Sequence, residues 1–121
     1  MSIGNSLETL LLDAVFNNST FGGGTAIYVS LHTADPGETG TAEMTGGTYA
    51  RGTADFAAAS GGAITMSGTA SFANMPAGTV AGVGIWNHAT AGTFFWGGTI
   101  TSKVTNLGDT FQLTSLSVTL D

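Results

Sequence analysis

Short segments of alternating apolar residues, separated by glycine-rich turns, restrict the fold of this chain more than any other feature. The alternation is clearest over residues 27–31, 80–86 and 116–120, and a period of two is typical of a strand with one buried face. Because no helical pattern lies between these segments, we predict a mainly β fold, a single antiparallel β-sandwich or small barrel. Weaker patterns predict further strands at residues 49–56, 63–66, 69–72, 93–96, 99–100 and 110–113. We expect the segments 63–66 and 69–72 to pair with each other.

The first twenty residues contain the one good helix candidate. Asn5 and Glu8 have the spacing of a capping box, in which each side chain satisfies a free backbone N–H group. Asn17 and Asn18 follow as a stop signal. We expect this helix to pack on its own sheet or to lie against a neighbouring subunit. Its apolar stripe has helical spacing and consists of Leu7, Leu10, Leu11, Ala14 and Val15.

Glycine and proline divide the remainder of the chain. Residues 33–48 are predicted to form a long loop in which Asp35-Pro36-Gly37 is a turn. Gly82 and Gly84, inside a strand pattern, indicate a bulge or the close approach of another backbone. Gly22 to Gly24 are predicted to be a hinge. We expect one domain over residues 1–121, with a helical segment at 1–20 and the β-sandwich at 25–121.

The scarcity of cations excludes two classes of partner. The net charge is −6 and the only basic residues are Arg51 and Lys103. Binding to nucleic acid or to an anionic membrane requires a cationic surface, so neither is expected. The chain lacks cysteine, which removes disulfides and thiol chemistry. With no secretory signal or membrane span in the pattern, we expect synthesis in a host cytoplasm.

No arrangement of residues predicts catalysis, a metal site or a cofactor. A serine nucleophile needs an activating histidine, and neither His32 nor His88 lies near a nucleophile motif. We expect His32 on the less buried side of its strand and His88 at a turn, both as ordinary surface or interface side chains. The carboxylates lack the spacing of a calcium loop, and two distant histidines do not make a zinc site. The chain is therefore predicted not to be an enzyme.

Arg51 is the charged residue with the most specific prediction. It follows a loop that contains Asp35, Glu38 and Glu43, and one guanidinium can bind a carboxylate through two parallel hydrogen bonds. We hypothesise that Arg51 anchors the 33–48 loop through one of these three carboxylates, or that it reaches an acidic group on another subunit.

Aromatic residues are concentrated between residues 86 and 96. Trp86, Phe95 and Trp96 are predicted to form core or subunit contacts, since aromatic side chains in strands supply large apolar areas. A sugar-stacking platform is the less favoured alternative.

Several segments together resemble a family of small tailed-phage virion proteins that is often labelled tail-fibre-like. The helix before the first strand is also of the family type, and the resemblance covers nearly the whole chain. The segments are YVSLHTADPG at residues 28–37, GGTYAR at 46–51, MPAGTV at 75–80, VGIW at 83–86 and LSVTLD at 116–121.

This resemblance implies a structural role on the virion. The function we favour from the sequence is a capsid cement or decoration protein on the capsid exterior, with the major capsid protein and copies of itself, as a homotrimer, for partners. The alternative is a tail-associated fibre or receptor-binding protein. The sequence lacks repeats and heptads, which argues against a long fibre shaft.

Overall fold

The computed structural model describes residues 2–21 and 26–120. Among them are one helix and nine strands. The hinge predicted at residues 22–24 lies outside the described residues. In chain order the elements are β1 (Ser2–Ile3), α1 (Asn5–Phe16), β2 (Tyr28–His32), β3 (Gly52–Thr53), β4 (Ala63–Thr65), β5 (Ala70–Met75), β6 (Gly78–Trp86), β7 (Phe94–Thr105), β8 (Asp109–Leu113) and β9 (Ser117–Thr119).

The strands form one large and two small antiparallel sheets. The large sheet has the order β1-β7-β6-β2-β3, and the small sheets pair β4 with β9 and β5 with β8. In the large sheet β2 runs against β6 from Tyr28 opposite Trp86 to His32 opposite Gly82. The predicted fold class is confirmed: the chain is mainly β, its sheets are antiparallel, and its single helix is N-terminal, in an arrangement compatible with a small β-sandwich.

One hydrophobic cluster joins the large sheet to the β5-β8 sheet. Val29 and Leu31 on β2 are fully buried, and so are Met75 on β5 and Val80 on β6. Burying an aliphatic side chain of this size contributes about 1.5–3 kcal/mol. The cluster is completed by Met44, Met66, Ala70, Phe72, Val83, Ile85, Phe95, Trp96, Phe111, Leu113 and Leu116.

Helix α1 begins and ends close to the predicted positions, but its N-cap differs from the prediction. Asn5 is the first helical residue, and the N-cap is Gly4, which has no side chain with which to cap the helix. The reason is steric: the Gly4 N–H donates to the Phe95 carbonyl at 2.7 Å, and a Cβ here would lie 2.7 Å from the Phe94 carbonyl oxygen. Asn17 is the C-cap and Asn18 has φ of +50°, which confirms the stop signal.

The strand partners differ more from the predictions than the strands do. β4 and β5 do not pair with each other, because Ile64 lies opposite Val118 and Phe72 lies opposite Phe111. Residues 49–56 contain only the two-residue strand β3, and the two short strands expected at 93–96 and 99–100 form the single strand β7. The predicted loop at 33–48 contains no named strand.

The glycines inside β6 have the role that the sequence predicted. The register between β6 and β7 shifts between Val80 and Gly82, which is a bulge. A Cβ at Gly82 would lie 2.7 Å from the Ala34 carbonyl oxygen and 3.1 Å from that of Gly98. Two backbone carbonyls, one from the 33–48 loop and one from β7, therefore lie close to β6 at this point, and only glycine leaves room for them.

Candidate interaction site

The Arg51 side chain binds the carboxylate of Glu43 through two parallel hydrogen bonds. Arg51 Nε donates to Glu43 Oε1 and Nη2 donates to Oε2, each at 2.8 Å. The Arg51 side chain is 6% exposed and that of Glu43 is 23% exposed, so water screens this ion pair only weakly. Of the three loop carboxylates that the sequence left open, Glu43 is the one in contact with Arg51.

The same guanidinium also holds a second loop. Arg51 Nη1 donates to the carbonyl of His88 at 2.9 Å and to that of Ala91 at 2.8 Å. Both carbonyls belong to the turn at residues 87–93 between β6 and β7, which Asn87 closes by accepting a hydrogen bond from the Thr93 N–H. One buried arginine thus joins the 33–48 loop to the 87–93 turn.

Tyr49 connects this ion pair to strand β2. Its hydroxyl donates to Glu43 Oε1 at 3.2 Å and accepts the Leu31 backbone N–H at 2.9 Å. The ring of Tyr49 stacks on Phe72, with centroids 6.4 Å apart. The guanidinium of Arg51 lies over the ring of Trp86. We name Arg51, Glu43, Tyr49 and Trp86 the Arg51 cluster.

A second chain of hydrogen bonds begins at Trp86. Its Nε1–H donates to Ser30 Oγ at 2.8 Å, and Ser30 Oγ lies 2.6 Å from His32 Nε2. His32 Nδ1 lies 2.7 Å from the Thr41 carbonyl. Since a carbonyl only accepts, Nδ1 carries the proton, and a neutral Nε2 accepts the Ser30 hydroxyl. The imidazole therefore joins β2 to the middle of the 33–48 loop.

Burial and charge shift the titration of these groups in predictable directions. Burial by itself would raise the pKa of Glu43, but the hydrogen bonds and positive charge of Arg51, with smaller effects of Tyr49 and His32, outweigh it and lower that pKa. Burial lowers the pKa of His32, and the Thr41 carbonyl and Glu43 offset this only in part. Burial also raises the pKa of the Tyr49 hydroxyl. These shifts favour an ionised Glu43 within the Arg51 cluster and a neutral His32 in the hydrogen-bond chain that begins at Trp86.

The prediction for His32 was wrong. The sequence placed it on a less buried side of β2, but Ser30 and His32 are both 0% exposed. Both faces of β2 are covered, one by the core and the other by the 33–48 loop and the aromatic rings of Trp86 and Phe94. His88 does lie in an exposed turn, as predicted.

The other candidate residues are distributed between surface and core. Asp35 and Glu38 lie exposed on the 33–48 loop, where Asp35 Oδ1 accepts the Gly37 N–H at 2.9 Å. Trp86 is half-buried in the Arg51 cluster. Phe95 and Trp96 are 5% and 3% exposed, so their rings pack inside the core of this chain.

Sequence reasoning missed Ser30, Tyr49 and the role of His32. The signal that could have found the buried polar chain is the glycine pair on β6, because Ser30 and His32 lie directly opposite Gly84 and Gly82. A Cβ at Gly84 would lie 2.7 Å from Ser30 Oγ and 2.9 Å from His32 Nε2. Two glycines on one face of a strand leave space that larger side chains of the neighbouring strand can occupy.

The cluster holds backbone segments together and its polar atoms are all used in doing so. Over the part of the chain that the structure describes, no buried side-chain nitrogen or oxygen lacks a hydrogen-bond partner. In residues 2–21 and 26–120, no three histidine or acidic side chains are grouped closely enough to hold a metal ion. Nor does any helix there have the length and hydropathy to cross a lipid bilayer.

A comparison with protein families gives a match over almost the whole chain. A family model described as podophage GP4 fiber I protein gp80 matches residues 2–121. This chain belongs to the gp80 fibre family. A search of curated proteins gave no match to the sequence.

Membership of the gp80 family confirms the resemblance to small tailed-phage virion proteins. The chain is therefore a structural protein of the phage virion and belongs to a fibre-like family. Within the gp80 family match lie both loops that Arg51 joins, as well as α1 and all nine strands.

Proposed function

We propose that this chain is a fibre subunit of a tailed-phage particle. The 33–48 loop and the 87–93 turn, which Arg51 joins and which we call the clamped loops, are proposed to contact the host surface. The observation that carries the proposal is the double attachment of Arg51, which fixes the 33–48 loop through Glu43 and the 87–93 turn through two carbonyls. Recognition residues commonly lie on loops that a rigid scaffold positions. The family match adds support, since its description names a fibre protein.

The chemistry of these loops suits recognition better than catalysis. Asp35, Glu38 and His88 are exposed on them, whereas the ionic and hydrogen-bonding groups beneath are satisfied within the chain. Pre-ordered loops lose little conformational entropy when they bind. The proposal includes no catalytic step, and turnover of a substrate by the isolated chain would contradict that part of it.

The location of the protein tests the proposal most directly. Purified particles would be analysed by quantitative mass spectrometry and by electron microscopy with antibodies against this chain. We expect a few to a few dozen copies per particle, with label at the tail. Hundreds of copies distributed over the capsid would contradict the fibre role.

The loop surface can be tested in the same particles. Phage carrying Glu38→Lys should adsorb to host cells more slowly, because the substitution reverses a charge on the clamped loop. Asp55→Lys is the matched control, since Asp55 is also an exposed carboxylate but lies outside both clamped loops. Equal adsorption by the two variants and the parent phage would argue against host contact through this loop.

Capsid cement, the role favoured by the sequence analysis, is the second candidate. The exposed apolar side chains of α1 suit a subunit that touches several neighbours, including the major capsid protein and, in a homotrimer, copies of itself. Particles stripped of a cement protein should package DNA normally but burst at a lower temperature. Unchanged heat tolerance would count against this role and would leave the fibre proposal intact.

A further inference from the structure

Helix α1 presents apolar side chains on two sides, only one of which its own sheet covers. None of its residues is fully buried, although Leu7 and Leu10 pack against the core cluster. Leu12, Val15 and Phe16 are 57%, 73% and 77% exposed. At about 100° per residue, the apolar positions cover roughly two-thirds of the helix circumference. A helix that packed only on its own sheet would need a much narrower apolar stripe.

An apolar groove lies beside α1, and Leu11, which lines it, is one helical turn before the exposed Val15. It consists of two adjoining cavities of about 240 and 280 Å³, which share Leu7, Ile64 and Val118 in their walls. Leu11 and Leu120 line the cavity of about 280 Å³, which we call the outer cavity. The residues that line the groove are apolar apart from Gly62. Such a groove gives a sugar or a charged peptide nothing to hydrogen-bond, and it suits large apolar side chains.

The exposed area is of the size that one subunit contact requires. Leu12, Val15, Phe16 and Leu120 together expose on the order of 400 Å² of apolar surface, since one aromatic side chain alone carries about 200 Å². A standard interface buries about 800 Å² on each partner, a little over half of it apolar. The face of α1 therefore supplies the apolar part of one standard interface.

The chain itself carries the complementary parts of such an interface. Phe16 and Val15 project as large apolar side chains, and the groove lined by Leu11, Ile64 and Val118 can receive side chains of this kind. Leu11 lines the groove and Val15 follows it by one helical turn. The projection and the groove are therefore next to each other along α1, and two copies can each supply both. We propose that α1 and this groove bind a second copy of this chain, with Phe16 of one copy inserted into the groove of its neighbour.

This inference rests on the proposed function and deepens it by naming a surface through which two copies of the chain bind each other. The test uses the full chain in solution, followed by sedimentation velocity over a range of concentrations. We expect the wild-type chain to self-associate and Phe16→Ser to raise the dissociation constant at least tenfold, as loss of a central aromatic contact does. Leu107→Ser is the matched control, since Leu107 is 78% exposed but lies on the turn between β7 and β8.

A second variant tests the groove from its own side. Ala59 is exposed and lines the outer cavity, so Ala59→Glu should place a charge in the groove and weaken self-association without unfolding the chain. A melting temperature within a few degrees of wild type would show that each variant folds. A wild-type chain that stays monomeric at high concentration would overturn the inference, as would self-association that neither Phe16→Ser nor Ala59→Glu weakens.

The outcomes separate this inference from the proposed function. A chain that self-associates through α1 but labels the capsid in hundreds of copies would refute the fibre role alone. A chain found at the tail that is monomeric in solution would refute the α1 contact alone.

Discussion

The guanidinium carbon of Arg51 lies 3.8 Å from the centroid of the Trp86 ring, and this contact joins two buried polar networks. On one side of the contact is the ion pair with Glu43. On the other, Trp86 donates to Ser30 and, through it, to His32. A cation over an indole contributes about 0.5–2 kcal/mol, more when it is shielded from water. Trp86 therefore links Arg51, which joins the 33–48 loop to the 87–93 turn, to strand β2 in the large sheet.

Replacing Arg51 with methionine should destabilise the fold strongly. The substitution removes the counter-ion of the Glu43 carboxylate and the donor to the carbonyls of His88 and Ala91, and breaking a buried pair from one side costs about 3–5 kcal/mol. We expect the melting temperature to fall by roughly 10 °C or more, measured by circular dichroism. Lys103→Met is the matched control, since it removes the other, exposed cation. Similar small shifts in both variants would show that Arg51 does not anchor the loops.

Removing the hydroxyl oxygen of Tyr49 should also destabilise the fold. Tyr49→Phe leaves the N–H of fully buried Leu31 without its acceptor, and an unsatisfied buried donor costs about 1–3 kcal/mol. Tyr28→Phe is the control, because within the described residues the Tyr28 hydroxyl makes no hydrogen bond. Urea denaturation should show a lower midpoint for Tyr49→Phe alone, and equal midpoints for the two variants would contradict the role of this hydroxyl.

The stability of the fold should decrease as the pH falls below about 6.5. Burial lowers the pKa of His32 below its ordinary value of 6.5, so below that pH the unfolded chain binds a proton that the folded chain does not. The contribution of neutral His32 to the free energy of unfolding is complete above pH 6.5. It is lost as the pH falls toward the lowered pKa, by up to about 1.4 kcal/mol per pH unit.

Urea denaturation at several pH values would measure this slope. His32→Gln should flatten it between pH 6.5 and the lowered pKa, whatever its effect on stability at neutral pH. His88→Gln, on the exposed turn, should leave the slope as in the wild type. A slope that persists in His32→Gln would assign the pH dependence to another group.

A methyl group at Gly84 should disrupt the contact between β6 and the buried polar chain. Its Cβ would lie within 3 Å of Ser30 Oγ, His32 Nε2 and a ring carbon of Phe94, and such overpacking costs about 1–3 kcal/mol. Gly68→Ala is the control, since no heavy atom lies within 4 Å of its added Cβ. Calorimetry should show a lower melting temperature for Gly84→Ala only. Equal melting temperatures would mean that β2 and β6 can move apart to accommodate the methyl group without loss of stability.

The sequence predicted strands better than it predicted their partners. Alternation over residues 80–86 identified β6 because one face of that strand meets the core. Alternation carries no information on pairing, however, and β4 pairs with β9 more than fifty residues later in the chain, with Ala63 opposite Thr119. Residues 49–56 scarcely pair at all, since Tyr49 and Arg51 there bind loops through their side chains.

The polar site was predictable in part. The scarcity of cations singled out Arg51, and the preceding loop supplied three candidate carboxylates, but sequence alone does not fix which one a loop turns inward. His32 was misplaced because period-two reasoning assumes that one face of a strand meets water. In this protein the 33–48 loop folds over that face, and the contact of His32 with Thr41 is a product of that loop conformation.

The large sheet ends in two very short strands, Ser2–Ile3 on one side and Gly52–Thr53 on the other. Each offers only two residues as an edge on which another chain could add a strand by backbone hydrogen bonding. Another copy therefore finds little open ladder to extend at these two outermost strands, and strand addition to them is disfavoured. A contact made at either strand would depend on side chains, which can be specific for one neighbour.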